Sequence, residues 1–150
     1  RGDIEKASLL IKCIQQRSNA LRLLLEKLMV YQKDYIISGD KAMKSLTRAK
    51  LAKELDVHES TISRAVSAKT VQLPNKRIVP MAIFFDRSLA YRAEIKDIIE
   101  AEDVPLSDSE IQDILAEQGI KIARRTVAKY RSMEGILPAH LRQKHNQPRA

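Results

Sequence analysis

Hydrophobic positions in the first quarter of the chain repeat every seven residues, with a second series three positions further on. The first series comprises Ala7, Ile14, Leu21, Leu28 and Tyr35, and the second comprises Leu10, Leu24 and Tyr31. This pattern is typical of a helix that buries one seam against other helices. It predicts one long helix over about residues 3–36, on the order of 50 Å in length. Arg17 stands in the second series, where an apolar residue is expected.

Two short helices joined by a tight turn are predicted next. The first covers about residues 48–55, with Thr47 as its N-cap, and the second covers about residues 59–65. Asp56 stands at the turn position where glycine is usual, which is acceptable because Asp adopts left-handed backbone geometry. Val57 is expected to fill the turn with its side chain. This arrangement predicts a helix-turn-helix unit.

The outward face of the second short helix carries polar side chains suited to reading DNA. The residues on this face are Glu59, Ser60, Thr61, Ser63 and Arg64. An arginine can donate two parallel hydrogen bonds to guanine, and short hydroxyl side chains reach phosphates or thymine methyl groups. We therefore expect this helix to lie in the major groove.

The segment after this unit loses helical periodicity. Pro74 and Pro80 indicate a loop or hairpin within residues 67–80. Residues 81–85 form a short apolar segment that is expected to dock on the first half of the chain. Residues 86–90 are the candidate linker between two halves.

Three further helices are predicted in the C-terminal half, over about residues 91–101, 107–118 and 124–133. The second of them opens with a capping box, in which Ser107 and Glu110 bond to each other's backbone amides. Residues 140–150 lack periodicity and are expected to form a frayed basic tail.

These helices contain a second helix-turn-helix pattern. Val127 takes the place that Ile62 has in the first unit, and the spacing from Leu115 to Val127 exceeds that from Leu51 to Ile62 by one residue. The second turn is therefore expected to be one residue longer. The residues expected to face outward from its last helix are Ala123, Arg124, Arg125, Thr126, Lys129, Tyr130 and Arg131.

Charge is distributed unevenly along the chain. The net charge is +8 overall, with 16 basic and 8 acidic residues in 1–85, 3 and 10 in 86–118, and 8 and 1 in 121–150. Between residues 121 and 131 there are five basic residues and no acidic one. Solvated helices usually alternate their charges, so this run indicates a surface for an anion. Nucleic acid is the first partner to test.

The same composition argues against several other classes. One cysteine excludes a disulfide framework, and three histidines far apart in sequence make a structural zinc site improbable, so we expect no metal and no cofactor. Cys13 lies in an apolar stretch and is expected to be a core thiol. No apolar run is long enough to cross a membrane and no signal peptide opens the chain, so a reducing compartment is expected.

Several motifs resemble those of one known family. Residues 123–131, ARRTVAKYR, match the nine-residue RpoN box of bacterial sigma-54 transcription factors. Residues 58–64, HESTISR, and 105–109, PLSDS, are also similar to motifs of that family, as is the Leu-Ile-Lys-x-Ile-x-Gln-Arg stretch at 10–17. The chain is most similar to the C-terminal, DNA-binding part of such a factor.

This resemblance implies specific roles. The helix containing His58 to Arg64 would read the −12 promoter element, with Arg64 nearest the bases. The RpoN-box helix would read the −24 element through Arg124 and Arg125, with Lys129 and Arg131 nearer phosphates. Arg17 matches a family arginine close to the −12 fork junction, where it would help to hold the promoter closed.

The resemblance also implies partners. These are double-stranded promoter DNA, core RNA polymerase and an ATP-dependent AAA+ enhancer-binding activator, in the bacterial cytoplasm at the nucleoid. The family's glutamine-rich, activator-responsive N-terminal region and most of its polymerase-binding region have no counterpart in this sequence. The chain by itself is therefore expected to bind promoter DNA without supporting initiation.

The expected architecture is all-α, with two unlike DNA readers on one chain. We expect residues 1–85 to form the long helix and the −12 reader, 86–90 a flexible linker, 91–139 the −24 reader and 140–150 the tail. Two different readers in tandem would bind DNA in only one orientation, and transcription initiation at a promoter requires a defined orientation. Segment 74–85 is about one residue longer than the family's and lacks its usual glycine, which affects the placement of the two readers.

Two other functional classes stay open on the sequence. A fragment of a transposase or resolvase would need a cluster of metal-binding carboxylates or a nucleophilic side chain. The acidic residues from Asp97 to Asp103 are interpreted as the acidic end of a helix, and Tyr130 as a packing or phosphate contact. We therefore expect no catalytic residue and no enzymatic activity. An unrelated helix-turn-helix regulator, or a scaffold that docks through the long helix, is the remaining alternative.

Overall fold

The computed structural model describes residues 2–146, which are mostly helical and fall into two compact units divided between Arg87 and Ser88. Within this range, no helix is both long enough and apolar enough to span a bilayer. The helices of the first unit are α1 (Gly2–Tyr31), α2 (Lys33–Ser38), α3 (Arg48–Glu54) and α4 (Glu59–Val66). Those of the second unit are α5 (Leu89–Glu100), α6 (Asp108–Glu117), α7 (Arg124–Met133) and α8 (Ala139–Asn146).

The predicted long helix is interrupted at one residue, Gln32. The backbone bonds from Gln32 to Leu28 and from Ile36 to Gln32, 2.8 and 2.9 Å, continue across the interruption. The Gln32 side chain is fully buried and donates to the carbonyl oxygens of Lys44 and Phe84, at 2.8 and 3.0 Å, while its own oxygen accepts from the Lys44 amide. Gln32 therefore connects the helix to two distant segments of the first unit.

The heptad seam of the long helix is buried only in its second half. Leu24, Leu28 and Tyr35 are buried, as expected. Every residue from 2 to 19 is exposed, including the predicted seam positions Ala7, Leu10 and Ile14, so the expectation of a continuous buried seam was wrong. The reason is that the rest of the first unit packs only against the C-terminal part of this helix.

A two-stranded antiparallel hairpin follows α4, as the loss of periodicity and the prolines indicated. Strand β1 (Thr70–Gln72) pairs with β2 (Ile78–Pro80), and Val71 lies opposite Val79. A 3-10 helix over Met81–Phe85 comes next and buries Met81 and Phe84. The Phe84 ring packs edge-on against Tyr35, with ring centres 5.7 Å apart, which confirms the docking predicted for this apolar segment.

The second unit is a small helical bundle with its own core. Its buried residues come from α5, α6 and α7 and comprise Ile95, Ile99, Ile111, Leu115 and Val127. The predicted capping box opens α6, because Glu110 donates its amide to Ser107 Oγ at 3.3 Å and accepts the Ser107 amide at 2.7 Å. That second bond is the main reason why the pKa of Glu110 is lowered.

The prediction of a frayed tail over residues 140–150 was wrong for the first part of that range. Residues 139–146 form helix α8, and residues 147–150 lie outside the described part of the chain. Arg142 anchors this helix, since it makes a two-pronged ion pair with Glu102, at 2.8 and 2.9 Å, and donates to the Leu106 carbonyl. The partners lie about 40 positions away in sequence, so local periodicity gave no sign of this anchor.

Candidate nucleic-acid interface

The first helix-turn-helix unit is built by α3 and α4. Thr47 caps α3 by accepting the Lys50 amide at 3.1 Å, as predicted. The inner faces of the two helices are buried, and the residues that form them are Leu51, Ala52, Ile62 and Val66. Burying these faces against the unit leaves the opposite face of α4 free to meet a partner.

The turn between the helices depends on the backbone of Asp56 and Val57. Asp56 has a φ of 52°, the left-handed geometry that its residue type allows. This geometry turns the Val57 amide back onto the Ala52 carbonyl at 3.0 Å, which is a Schellman ending of α3. The Val57 side chain is 36% exposed, so the expectation that it fills the turn was wrong and its amide closes the turn instead.

The N-terminus of α4 presents most of the residues predicted to read DNA. His58 is the N-cap, because its Nδ1 accepts the Ser60 amide at 3.2 Å and lies 2.8 Å from Ser60 Oγ. Arg64 donates to the same Ser60 Oγ at 3.3 Å, which orients the guanidinium along the helix. On this face His58, Glu59, Ser63 and Arg64 are exposed, and Ser60 and Thr61 are half-buried.

A groove of about 730 Å³ separates the exposed part of α1 from α4. Arg17, Arg64 and Lys69 line it, together with Thr61, and no acidic residue is among the lining residues. The structure thus brings Arg17 to the same groove as the reading helix, although 47 positions separate it from Arg64. Lys69 was missed by the sequence analysis, since it follows α4 in a segment without periodicity.

Cys13 also lines this groove and is exposed, so its expected place in a core was wrong. The apolar stretch around it lies on the part of α1 that nothing in the first unit covers. Within the described residues, no group of three or more His, Cys, Asp or Glu side chains could hold a metal ion.

The turn of the second unit repeats the backbone arrangement of the first. Gly119 has a φ of 84°, and the following amide of Ile120 bonds to the Leu115 carbonyl at 2.8 Å. The buried anchor Val127 comes eight positions after Gly119, whereas Ile62 comes six positions after Asp56. Aligned on the two left-handed residues, the second turn is two residues longer, so the expected difference of one was too small.

Helix α7 divides cleanly into two faces. Val127 is fully buried in the core of the second unit. Arg124, Arg125 and Lys129 are exposed, as is Ala123 just before the helix, while Thr126 is half-buried. Two exposed arginines thus lie in the first turn of α7, where free backbone N–H groups also attract anions, and an exposed lysine lies one turn further on.

Two of the predicted contact residues of α7 instead have partners within the unit. Arg131 is 7% exposed and forms a two-pronged ion pair with Asp108 at 2.7 and 3.1 Å, and its third nitrogen donates to the Ile136 carbonyl. The Tyr130 ring lies parallel to Tyr91 with centres 6.5 Å apart. The expectation that Arg131 faces phosphates was wrong, because four positions beyond Val127 a helix returns to its buried face.

Comparison with known proteins gives consistent matches. Residues 1–144 match a family described as Sigma-54, DNA binding domain. The chain is 37% identical over 157 residues to the RNA polymerase sigma-54 factor of Vibrio anguillarum, covering 96% of this chain and 32% of that protein. It is 36% identical over 150 residues to that of Bacillus subtilis, covering 91% and 34%.

A solved structure is similar as well. It is the crystal structure of Aquifex aeolicus sigmaN bound to promoter DNA, which matches with a TM-score of 0.63 and 39% identity. The match covers 94% of this chain and 46% of that one. The chain spans about a third of the length of the curated relatives that it matches.

Proposed function

Because this chain belongs to the family of sigma-54 DNA-binding domains, we propose that it recognises promoter DNA as part of a sigma-54 type initiation factor. One observation carries the proposal: each of two helix-turn-helix units exposes arginine on its second helix, Arg64 on α4 and Arg124 and Arg125 on α7. Arg64 lies in the last turn of α4, whereas Arg124 and Arg125 open α7. Arginine on the exposed face of such a helix can bond to guanine in the major groove.

The two units are assigned to two different promoter elements. Helix α4 reads the −12 element through Arg64, with Glu59 and the hydroxyl side chains nearby. Helix α7, which carries the nine-residue box, reads the −24 element through Arg124 and Arg125, and Lys129 contacts a phosphate. The absence of an acidic partner for these three α7 cations within the described residues supports this assignment, because a DNA phosphate or base can then take that place.

Arg17 is assigned to the fork junction beside the −12 element. Its support is the groove of about 730 Å³ that it shares with Arg64 and Lys69, which has no acidic lining residue. A cation at this place would hold the DNA just downstream of the α4 contact. In the whole factor this contact helps to keep the complex closed until the activator acts.

Core RNA polymerase and an ATP-dependent AAA+ activator are the proposed protein partners of the whole factor, in the bacterial cytoplasm. The first part of α1 exposes a set of large apolar side chains, which suits a contact with another protein. They comprise Ile4, Leu9, Leu10, Ile11 and Ile14. We propose no catalytic role for this chain, and nuclease activity in the presence of magnesium would instead favour a recombinase.

Substitution of Arg125 by alanine tests base reading at the −24 element. We expect a loss of about 1–3 kcal/mol in binding free energy on a duplex with both elements intact, because one set of guanine bonds is removed. On a duplex with a scrambled −24 element the loss is expected to be much smaller. Fluorescence anisotropy titrations at one fixed salt concentration measure both values.

Lys96→Ala is the matched control, since Lys96 is an exposed cation of the same unit that pairs with Glu100 on α5. This variant should bind both duplexes as the unsubstituted chain does. Equal weakening of both duplexes by Arg125→Ala would contradict base reading by that side chain and leave it as a phosphate contact.

A further inference from the structure

The β1–β2 hairpin lies directly after the reading helix of the first unit. The Lys69 amide donates to the Val66 carbonyl at the end of α4, at 3.4 Å. The Met81 amide, directly after β2, donates to the Lys69 carbonyl at 2.9 Å, so backbone hydrogen bonds connect the base of the hairpin to the end of the helix. Val79 is buried, which fixes the inner side of the hairpin to the core of the unit. The hairpin is therefore held in a defined position next to the C-terminal end of α4.

The tip of the hairpin is an ordered turn. The Leu73 amide donates to the Arg77 carbonyl and the Lys76 amide donates to the Leu73 carbonyl, both at 2.9 Å. Asn75 Oδ1 accepts the Arg77 amide at 3.0 Å, and Leu73 is buried. These bonds and this burial make the tip a rigid projection rather than a loose loop.

Lys76 adopts an unusual backbone conformation at this tip. Its φ is 66°, in the left-handed region where glycine is the favoured residue of a hairpin turn. A residue with a side chain costs on the order of 1 kcal/mol there. A lysine with an exposed side chain therefore occupies a position where glycine would be less strained. Strain of this kind often marks a functional residue.

The charged side chains within the hairpin and the residues that flank it in sequence are all basic. Residues 60–85 contain four basic side chains and no acidic one. The Arg77 guanidinium already has a partner within the unit, because it donates to the Asp40 carboxylate at 3.1 and 3.4 Å. Its hydrogen bonding to Asp40 is the main cause of its raised pKa. Lys76 makes no ion pair with any residue in the described range. The turn fixes the backbone of Lys76, and its ammonium group has no acidic partner within the described residues.

The outward side of the hairpin is also unburied. Ile78 is 67% exposed, and its cross-strand partner Gln72 is exposed as well. A rigid, exposed hairpin that follows a DNA-reading helix and carries Lys76, a cation unpaired within the described residues, fits a polyanionic backbone better than it fits an apolar protein surface.

We infer that the β1–β2 hairpin is a second DNA-contacting element of the first unit, in which Lys76 pairs with a backbone phosphate beside the site read by α4. This inference rests on the proposed promoter binding and adds a contact to it. Lysine acts as a point charge without the planar fork that arginine offers to guanine, so the hairpin adds affinity and position rather than base recognition.

Substitution of Lys76 by glycine removes the cation and keeps the turn, because glycine adopts a positive φ without strain. Binding is measured by anisotropy as a function of salt concentration, on an intact duplex and on one with both elements scrambled. The slope of log affinity against log salt should fall in magnitude by about 0.9, the value for one phosphate contact. Affinity at 0.1 M salt should fall roughly three- to eightfold on both duplexes alike.

Lys33→Ala is the control, since it removes one exposed lysine of the same unit at the start of α2. It should keep the salt slope of the unsubstituted chain. The melting temperature of Lys76→Gly should not fall below that of the unsubstituted chain, which separates a lost contact from a lost fold.

The outcomes distinguish this inference from the proposal on which it rests. If the unsubstituted chain prefers the intact duplex but Lys76→Gly keeps its salt slope, the hairpin inference alone is overturned. If the unsubstituted chain does not distinguish the intact from the scrambled duplex, the promoter-binding proposal fails, and the hairpin contact loses its basis.

Discussion

The arginines that the structure describes in the second unit divide into two groups by their partners. Arg92, Arg131 and Arg142 each form an ion pair with a carboxylate of the same unit at 2.7–2.8 Å. Arg124 and Arg125 are exposed and have no such partner in the described structure. Within one short bundle, three arginines therefore hold the helices together, and two others are exposed cations available to an anionic partner.

The distinction predicts opposite effects of the same substitution at two positions of α7. Arg131→Met should destabilise the second unit by about 2–4 kcal/mol, because the Asp108 carboxylate would stay largely buried without its partner. Arg124→Met should leave stability unchanged and weaken binding to the −24 element. Urea denaturation followed by circular dichroism measures stability, and hydrogen exchange of α6 and α7 locates the change.

A double-mutant cycle with Asp108→Asn assigns the loss to the ion pair. The two substitutions together should cost clearly less than the sum of their separate effects. If Arg131→Met is as stable as the unsubstituted chain but binds the −24 element poorly, Arg131 reads DNA and its ion pair has no structural importance.

At the scale of elements, both helix-turn-helix units end their first helix in the same way. A residue with positive φ, Asp56 or Gly119, is followed by an amide that bonds to a carbonyl five positions earlier. This Schellman ending sets the direction in which the chain leaves the helix. The next helix, α4 or α7, then starts from a defined point with its apolar side turned toward the core.

The two turn residues should respond differently to substitution. Gly119→Ala should cost about 1–2 kcal/mol of stability, because alanine disfavours a φ of 84° even though nothing lies within 4 Å of the added carbon. Asp56→Gly should change stability by less than about 0.5 kcal/mol, since the relief of left-handed geometry offsets the greater freedom of glycine in the unfolded chain. Thermal denaturation of both variants provides the measurement.

Equal destabilisation by the two substitutions would contradict this account of the turns. A control is Asp113→Gly, at an exposed position in the middle of α6. It should cost at most about 0.5 kcal/mol through helix propensity alone and leave the turn unchanged.

At the scale of the whole molecule, the main feature is that the two readers differ. The first unit presents one arginine among short hydroxyl side chains, and the second presents two arginines and a lysine. A symmetric dimer of one reader binds a palindrome and has no built-in direction. If both units read DNA as proposed, two unlike readers on one chain give the bound protein one orientation.

This asymmetry predicts a dependence on the orientation of each element. A duplex in which the −12 element is inverted at its own position should bind about as weakly as one in which that element is scrambled, because α4 then meets the wrong base edges. Competition titrations compare the intact, inverted and scrambled duplexes. Arg64→Ala should bind the three duplexes nearly equally, and full affinity of the unsubstituted chain for the inverted duplex would rule out a polar arrangement of readers.

The sequence alone determined the local features of this protein. The helices of both units except α8, the Thr47 cap and the Ser107–Glu110 capping box were predicted within a few residues of their observed positions. These features depend on propensity, capping and apolar spacing, which act between residues at most four positions apart. The nine-residue box likewise identified the family, because a contiguous motif can be read without knowing the fold.

Only the tertiary structure decided which side chains have partners far away in sequence. The ion pairs of Arg131 with Asp108 and of Arg142 with Glu102, the bond of buried Gln32 to Phe84, and the groove that joins Arg17 to Arg64 each span from about 20 to about 50 positions. A helical periodicity states which residues share a face, but not whether another element covers that face. For this reason the first half of α1 is exposed although its pattern matches the buried half, and Arg131 is buried although Arg124, Arg125 and Lys129 of the same box are exposed.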